Sequence, residues 1–399
     1  MARTGIKIQI SDSVLGAPLD VNATTMIFSS EVGSPQDVIS GRSLDELHSK
    51  GLNVSHALYK AAQQYFNPSP TVNLDGNLLW VCGDIDVMNS KDNICEAVRK
   101  TVANSFDERP RQLVFLARGG EDYGFGGVDK TVAEDVIQAA ISQLATEGIR
   151  VVAIVATPLN GGEGDEDINS TIANADDVTK WNAPFVAVCP MSTSTLSQEV
   201  FGAVYVASTL ATTSVGTSIG DGGLSAIQTP SILAVESDFG TMAQSVDVRT
   251  LSLAQVDMLG EKGYLFTRTR PPRNGLWWND GATCNDPANA LSSLEACRTI
   301  CALADALQAF FVPYINTRVP VDNNGNIQST YKQVVLDAAR ASVIQPYIDS
   351  GDISDARIDL VAKDNDFIGT RTWEVTLSVL PASTLRWING YVFYVKNLS

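Results

Sequence analysis

Short apolar runs alternate with helical stretches between residues 77 and 235, and this alternation constrains the fold more than any other feature. The runs are four to six residues long and are predicted strands: Leu78–Cys82, Leu113–Ala117, Val151–Ala156, Phe185–Cys189 and Ile232–Val235. Helical stretches lie between them, near 91–104, 130–147 and 194–211. Short strands that alternate with helices predict an α/β layer built on a mostly parallel sheet.

The chain before this layer has a different pattern. Residues 12–50 are rich in Ser, Asp and Gly, and we expect an irregular linker or an extended arm. A helix is predicted over Leu52–Phe66, with Asn53 or Ser55 as its N-cap, because Asn-Pro-Ser-Pro follows it and stops it.

After residue 240 the pattern changes again. Helices are predicted near 250–259, 293–311 and 330–343, and strands over 353–361 and 373–380. The helix over 293–311 is strongly periodic, and Ser292 and Glu295 at its start have the spacing of a capping box. The predicted fold class is therefore α/β combined with α+β.

Composition is typical of a folded protein large enough for two or more domains. The chain has 399 residues, of which 44% are hydrophobic, and we see no stretch of the ~20 apolar residues that a membrane span needs. Cys297 and Cys301 lie one helical turn apart, too far for an unstrained disulfide, which favours a reducing environment.

The charge is negative and unevenly distributed. The net charge is −17, and residues 1–239 hold 14 Lys and Arg against 29 Asp and Glu. Residues 240–399 hold 14 against 16. Nucleic-acid binding would need a basic stripe, and neither part has one. The nearly neutral part can approach copies of itself closely.

Both ends of the sequence have strand patterns. Gly5–Ser11 alternates apolar and polar residues, and Tyr391–Val395 is β-branched and aromatic. A terminal strand exposes unpaired backbone groups unless it has a dedicated partner. The two ends therefore predict a chain that pairs with other copies of itself.

Two motifs match catalytic or phosphate-binding patterns only in part. Gly216-Thr-Ser-Ile-Gly220 has the letters of a nucleophile elbow, but His48 and His56 lie far upstream, so a Gly-rich turn is favoured. The loop Gly119–Thr131 lies between a strand and a helix, as a phosphate loop does. Its Lys and Thr are separated from the glycines, and Glu121 and Asp122 would repel phosphate.

Three further groups of chemically active residues are weak candidates. They are the cysteines 284, 297 and 301, the acidic loop Glu163–Asp167, and the pair Asp84 and Asp86. None has the ligand spacing of a zinc or calcium site, and nothing near the Asp pair supplies a nucleophile or metal partner. We therefore predict no catalytic residue, no metal and no cofactor.

The segment Tyr264–Cys284 resembles a conserved segment of contractile tail sheath proteins. In that family a long helix with an early arginine follows it, here matched by Arg298. Gly325-Asn-Ile327 and Gly351-Asp-Ile353 then follow in the family's order, before a terminal pair of strands. The Trp277-Trp278 pair departs from the family pattern.

The resemblance implies a domain organisation. A conserved sheath domain of mixed sheet plus helices would consist of 21–74 and 236–385, with an outward-facing α/β domain inserted at 75–235. Arms at 1–20 and 386–399 would add strands to the sheets of neighbouring subunits. The residues implied in these strands are Ile6, Ile8, Ile10, Tyr391, Phe393 and Val395. The residues implied to face an inner tube are Arg249, Lys262, Arg268, Arg270 and Arg273.

The function that the resemblance implies is that of a structural subunit. Such subunits form stacked six-fold rings around an inner tail tube and contract to drive it through a target envelope. The expected partners are other copies, the tube protein, and baseplate and tail terminator proteins, without direct nucleic-acid binding or membrane insertion. The expected location is a phage virion or a contractile injection particle assembled in the bacterial cytoplasm.

Two alternatives stay open on the sequence alone. One is an α/β nucleotide-binding protein or enzyme that uses the Gly119–Thr131 loop. The other is a different self-assembling tail protein, such as a tube or baseplate component.

Overall fold

The computed structural model describes residues 24–29, 37–68, 72–83, 90–103, 108–116, 128–159, 168–192, 202–221, 223–224, 226–227, 231–236, 242–270, 272–363 and 367–382.

A six-stranded sheet forms the centre of the larger part of the chain. Its strands are β1 Thr25–Ser29, β2 Ile39–Gly41, β3 Leu79–Cys82, β4 Gln112–Leu116, β5 Val152–Ala156 and β6 Val186–Cys189. The spatial order is β2-β3-β1-β4-β5-β6, and only β2 runs antiparallel to its neighbour. The predicted, mostly parallel α/β layer is therefore present.

Helices cover both faces of this sheet. They are α1 Leu44–Ser49, α2 Ala57–Phe66, α3 Lys91–Val102, α4 Ala139–Thr146, α5 Ile168–Asn174 and α6 Gly202–Thr212. The crossover from β1 to β3 runs in the opposite direction to those from β3 to β4 and from β4 to β5. Because such crossovers are right-handed, α2 lies on one face and α3 and α4 on the other. A π-helical segment, Val132–Gln138, leads directly into α4.

A set of antiparallel strands follows the parallel sheet. Strands β7 Met191–Ser192, β8 Ile232–Glu236 and β9 Met242–Asp247 form one sheet. After α7 Leu253–Glu261, the strands β10 Thr267–Arg270 and β11 Arg273–Trp278 form a hairpin. The run predicted at Ile232–Val235 is thus a strand, but it pairs in this antiparallel sheet and not in the parallel one.

The C-terminal part is an α+β unit. Its elements are α8 Leu294–Phe311, α9 Ser329–Ala339, α10 Gln345–Asp349, β12 Ile353–Ala362, α11 Phe367–Thr370 and β13 Trp373–Pro381. A π-helical segment, Arg340–Ile344, joins α9 to α10. Strands β12 and β13 form an antiparallel two-stranded ribbon, which matches the terminal pair implied by the sequence.

The prediction of an irregular region over 12–50 is wrong for its described part. This part contains β1, β2 and α1, and β1 is a central strand whose five residues are all buried. Its polar members have partners inside the core. The Thr25 hydroxyl donates to the Tyr65 hydroxyl at 3.1 Å and accepts from Gln112 Nε2 at 2.6 Å. These partners make a strand of mixed composition stable in a buried position.

Two helix starts differ from the predicted caps. Helix α2 begins after His56, while the Asn53 side chain accepts from the Ser55 backbone N–H in the preceding turn. Helix α8 is capped by Ser293, whose hydroxyl accepts from the Ala296 N–H. Because Ser293 and not Ser292 is the N-cap, the capping box predicted from Ser292 and Glu295 is not formed. The Glu295 side chain is buried.

Helix α8 also differs from the expectation about membrane spans. By length and composition, the segment Leu294–Tyr314 is apolar enough to cross a membrane, and it is the one such segment in the described part of the chain. None of residues 294–311 is exposed, and Arg298 and Asp305 are buried in it. These are the properties of a helix buried in the core of the fold.

The packing crosses the domain boundary predicted at residue 75. One hydrophobic core runs from Met26 to Cys297, because β1 and β2 belong to the same sheet as β3. Two smaller cores begin at Leu303 and Phe311 and include residues of the β12–β13 ribbon. The first turns of α8 therefore pack in the large core, and its last turns pack in the two small cores.

Candidate functional site

The β12–β13 ribbon has the geometry of a docking site for further strands. Its pairs run from Ile353 opposite Pro381 to Ala362 opposite Trp373. One face packs against α9 and α10, and burial alternates along β13. Among the described residues, no strand pairs with either outer edge, so both edges present backbone N–H and C=O groups.

The opposite face of the ribbon is polar and solvated. Its exposed residues include Arg357, Glu374, Thr376 and Ser378, and Val361 and Leu380 are the large apolar exceptions. Packing of its other face against α9 and α10 stabilises the ribbon, and its edges are left available for additional strands. The ribbon therefore offers two edges at which extended segments could pair.

The residues predicted to form inter-subunit strands lie outside the described residues. They are Ile6, Ile8, Ile10, Tyr391, Phe393 and Val395. The described chain starts at Thr24, whose carbonyl accepts from the Arg111 N–H at 2.9 Å, beside the parallel sheet. At the other end, β13 finishes at Pro381, on the β12–β13 ribbon itself.

Two of the five predicted tube-facing cations are on an open surface. Arg249 is exposed and pairs with Asp247, which lowers the pKa of that carboxyl. Arg273 is exposed and lies over the Trp277 ring, 5.0 Å from its centroid. Both line one groove of about 760 Å³ beside the β10–β11 hairpin.

The other three predicted tube-facing residues, Lys262, Arg268 and Arg270, are less available for contact with another protein. Lys262 Nζ donates to the Ala173 carbonyl at 2.7 Å and also to that of Ala175, so it caps the end of α5. Arg270 donates to the carbonyls of Gly220 and Trp278, at 2.6 and 3.1 Å. Arg268 is half-buried on β10, opposite Trp277. Partial burial lowers the pKa values of Lys262 and Arg270. The structure thus groups Arg249 with Arg273 and gives Lys262 and Arg270 internal partners.

A buried cluster of arginines was not predicted from the sequence. Asp305 of α8 accepts from Arg109 at 2.9 Å, from Arg150 at 2.7 Å, and from Arg111. Arg150 also donates to Gln308 Oε1 at 2.7 Å. The three arginines lie at the starts of β4 and β5, so this cluster fixes α8 to the edge of the parallel sheet. The polar residues Asp305 and Gln308, one turn apart in a largely apolar helix, are the only sequence signal for it.

The arginine that the resemblance singled out is also buried. Arg298 donates through Nη2 to the carbonyls of Leu210 and Thr213, at 2.9 and 3.0 Å, and so caps the end of α6. Burial lowers the pKa of Arg298 to about 10. Its role in the described fold is to join α8 to α6.

The Gly216–Gly220 motif forms a turn, as favoured from the sequence. The Gly216 N–H donates to Asp352 Oδ1 at 3.0 Å, and Ser218 is buried. A Cβ atom at Gly216 would approach Asp352 to 2.4 Å, which explains the glycine. This contact ties the turn after α6 to the start of β12.

The described cysteines are buried or half-buried thiols. Burial raises the pKa of Cys301 to about 11 and that of Cys297 well above its ordinary value. The Cys297 thiol donates to the Pro184 carbonyl at 3.0 Å. Thiolate chemistry is therefore suppressed at these sites. In the described part of the chain, no group of three potential metal ligands comes together.

The phosphate-loop candidate can be judged only at its end, because residues 117–127 lie outside the described residues. There, Asp129 Oδ1 accepts from the Val132 N–H at 2.8 Å. The carboxylate thus occupies the helix start, where a phosphate would bind. The other acidic candidates, Asp84, Asp86 and Glu163–Asp167, also lie outside the described residues.

Comparison with known proteins gives matches among solved structures. No family model matches the chain, and no curated protein does. The sheath complex of the extracellular contractile injection system PVC, in its contracted state, matches with a TM-score of 0.59 and 11% identity, over 100% of this chain and 98% of that one. The helical sheath of the anti-feeding prophage (AFP), also contracted, matches with a TM-score of 0.56 and 11% identity, over 100% and 98%.

A chain from the six-fold symmetrised AFP baseplate structure matches with a TM-score of 0.56 and 12% identity, over the whole of both chains. The protein therefore has the fold found in these contractile sheaths, which is the fold that the sequence resemblance implied. The mixed-sheet and helix class predicted from the sequence is likewise confirmed.

Proposed function

We propose that this protein is a structural subunit of a contractile sheath, with no catalytic role. The observation that carries the proposal is the match over the full length of both chains to sheath proteins of contractile particles. The subunits would polymerise around an inner tube as stacked six-fold rings and drive the tube through a target envelope on contraction. Their place is a phage tail or an injection particle, assembled in the bacterial cytoplasm.

We propose further that neighbouring subunits are linked by strand exchange at the β12–β13 ribbon. Its two open edges support this, together with the strand patterns of residues 5–11 and 391–395. An added strand would form about four to six backbone hydrogen bonds, each worth ~0.5–1.5 kcal/mol net. These bonds can persist while subunits rotate, provided that the segment between strand and subunit absorbs the motion.

Contraction in this proposal is a switch between two packings of the same subunits. The energy is stored when the sheath assembles in its less stable, extended form, so no nucleotide is consumed.

The partners follow from the same proposal. The exposed Arg249 and Arg273 would face the inner tube protein, and the acidic sequence over 75–235 would face outward. Baseplate and tail terminator proteins would contact the end rings. Lys262 and Arg270 contribute little to the tube surface, because their charged groups already hold internal carbonyls.

Electron microscopy of the purified protein tests the function directly. We expect tubes or stacked rings for the full chain, and folded monomers that build no long tubes after deletion of residues 1–12. Circular dichroism and thermal melting check that the shortened chain still folds. Normal tubes from the shortened chain would contradict strand exchange, and particles without any assembly would contradict the sheath function.

The alternative of a nucleotide-binding protein is tested with ATP and GTP in the presence of Mg²⁺. We expect no change in melting temperature, because Asp129 already fills the helix start. A nucleotide-dependent rise in melting temperature, lost on replacing Lys130, would instead favour the alternative.

A further inference from the structure

Two Asn-Gly pairs lie among the described residues, and their surroundings differ. Asn274-Gly275 belongs to β11, and Asn324-Gly325 lies in the turn before α9. In such a pair the backbone nitrogen of the glycine can attack the side-chain amide carbon of the asparagine. Adjacent groups of one chain react without an encounter step, so the local geometry and the access of water determine whether the reaction occurs.

The Asn274-Gly275 pair is open to solvent. Both residues are exposed, and both line the groove of about 760 Å³ that also contains Arg249 and Arg273. Among the described residues, none holds the Asn274 side chain by a hydrogen bond. The amide can therefore turn towards the following backbone nitrogen, and water can reach the product.

The pairing of β11 with β10 is interrupted at the same point. Arg273 is paired with Arg270, and Trp277 is paired with Arg268, with a register shift between the two pairs. Residues 274–276 thus have no partner of their own in the register of β10. A regular ladder would hold the Gly275 nitrogen away from the Asn274 side chain, and the irregularity relaxes this constraint.

The fold also requires a glycine after Asn274. Gly275 has a φ of +130°, and a Cβ atom there would approach the Ala226 Cβ to 2.5 Å. A side chain at this position would hinder the attack by the backbone nitrogen, but it cannot be introduced unless the segment at Ala226 moves. The reactive pair is therefore kept for a structural reason.

The Asn324-Gly325 pair provides the contrast within the same chain. The Gly325 N–H donates to the Asp322 carbonyl at 3.1 Å, and the Asn324 N–H donates to Asp322 Oδ1 at 2.8 Å. Gly325 is buried, and a Cβ atom on it would lie 3.2 Å from Ile368 Cδ1. These contacts hold the glycine nitrogen within the turn, so attack on the Asn324 side chain is disfavoured.

We propose that Asn274 is a site of spontaneous deamidation, which converts it to aspartate or isoaspartate. The Gly275 nitrogen forms a bond to Asn274 Cγ, the Cγ–Nδ2 bond breaks, and Nδ2 leaves as ammonia with the proton from the Gly275 nitrogen. Water then opens the succinimide ring at either carbonyl carbon. The new carboxylate adds a negative charge to a groove whose described lining holds two arginines and no acidic residue. The reaction consumes only water and is independent of the proposed sheath function.

The experiment is incubation of the folded full chain at mildly alkaline pH in water enriched in heavy oxygen. Digestion at acidic pH in ordinary water and mass spectrometry of the peptides follow. Hydrolysis of the succinimide incorporates heavy oxygen, which separates deamidation of the folded protein from deamidation during digestion. We expect the Asn274 peptide to gain the label several-fold faster than the Asn324 peptide. Equal rates, or faster labelling at Asn324, would overturn the proposal.

A measurement on the unfolded chain separates the effect of the fold from that of the sequence. In concentrated urea the two rates should approach each other, because the two dipeptides are identical. A difference that persists in urea would place its cause in the local sequence and overturn the structural argument.

Two variants assign the reaction to its residue. Asn274→Gln lengthens the side chain and disfavours ring closure, so the label should be lost from this peptide. Asn324→Gln is the matched control and should leave the rate at Asn274 unchanged. Label that still enters the Asn274→Gln peptide at the original rate would assign the reaction to another residue and overturn the proposal.

Discussion

At the residue scale, the strongest constraint is the single carboxylate of Asp305. Three arginines from two strand starts converge on it, and its side chain is 6% exposed. The three positions, 109, 111 and 150, are far from residue 305 in sequence, and no local pattern connects them. Sequence reasoning predicted α8 from its apolar periodicity, but this polar contact exists only because α8 crosses the ends of β4 and β5.

We predict that Asp305→Asn strongly destabilises the fold. The change keeps the shape of the side chain but leaves the buried Arg109 and the partly buried Arg111 and Arg150 facing one another without this carboxylate. Loss of one partner from a buried ion pair costs about 3–5 kcal/mol, and we expect this range in urea unfolding. Asp337→Asn on the exposed face of α9 is the control and should change stability by less than about 0.5 kcal/mol. An equally small effect at Asp305 would contradict the buried cluster.

A second residue-scale prediction concerns Tyr65. This side chain is fully buried, and burial raises its pKa from 10.0 to about 12. In the unfolded chain the phenol ionises near pH 10, whereas in the fold it stays neutral to higher pH. Its contribution to the free energy of unfolding is therefore complete below pH 10 and is lost as pH rises towards 12. Two pKa units correspond to about 2.7 kcal/mol.

The measurement is the free energy of unfolding between these two pH values for the unmodified chain and for Tyr65→Phe. We expect a shallower pH dependence in the variant, although it loses the hydrogen bond from Thr25. Identical slopes for Tyr65→Phe and the unmodified chain would contradict the prediction.

At the element scale, the strands with apolar runs were predictable and the strand β1 was not. Runs such as Val151–Ala156 have no polar residue, and burial in a sheet is the simplest structure for them. Strand β1, Thr-Met-Ile-Phe-Ser, is flanked by polar segments and begins and ends with hydroxyl residues. Its place between β3 and β4 depends on hydrogen bonds to Tyr65 and Gln112, which no local pattern reveals.

The position of β1 leads to a test of the corrected assignment. Ile27 is fully buried in the middle of the sheet, so Ile27→Ala should cost about 2–5 kcal/mol in the free energy of unfolding. Val54→Ala, at a site 55% exposed, is the control and should have little effect. A neutral Ile27→Ala would instead agree with the linker predicted from the sequence.

At the scale of the whole molecule, the order of the C-terminal helices and strands could be predicted from the sequence. The extent of the hydrophobic core across residue 75 could not. Motifs from Tyr264 to Ile353 follow the family's order, and the structure has the expected helices and ribbon there. The boundary at residue 75 was placed where the α/β pattern begins. Since β1 and β2 complete the same sheet, one core forms across that boundary.

Assembly provides the prediction at this scale. Phe393→Pro removes one backbone donor from the strand predicted at 391–395 and should stop the growth of long tubes. Phe393→Tyr keeps the donor and an aromatic side chain, so it should assemble normally. The two variants should melt at the same temperature as unassembled subunits, and electron microscopy compares their polymers. Long tubes from Phe393→Pro would exclude this strand as a linker.

The open-edged ribbon of β12 and β13 also determines how a joint made on it would carry mechanical load. A strand laid along either edge is held by hydrogen bonds arranged side by side. A pull along the strand axis loads all these bonds together, whereas a pull across the ribbon loads them one after another. Such a joint resists stretching along its axis and peels open easily from the side. Subunits linked in this way can transmit a stroke along the axis, yet the link can still be closed one residue at a time during assembly.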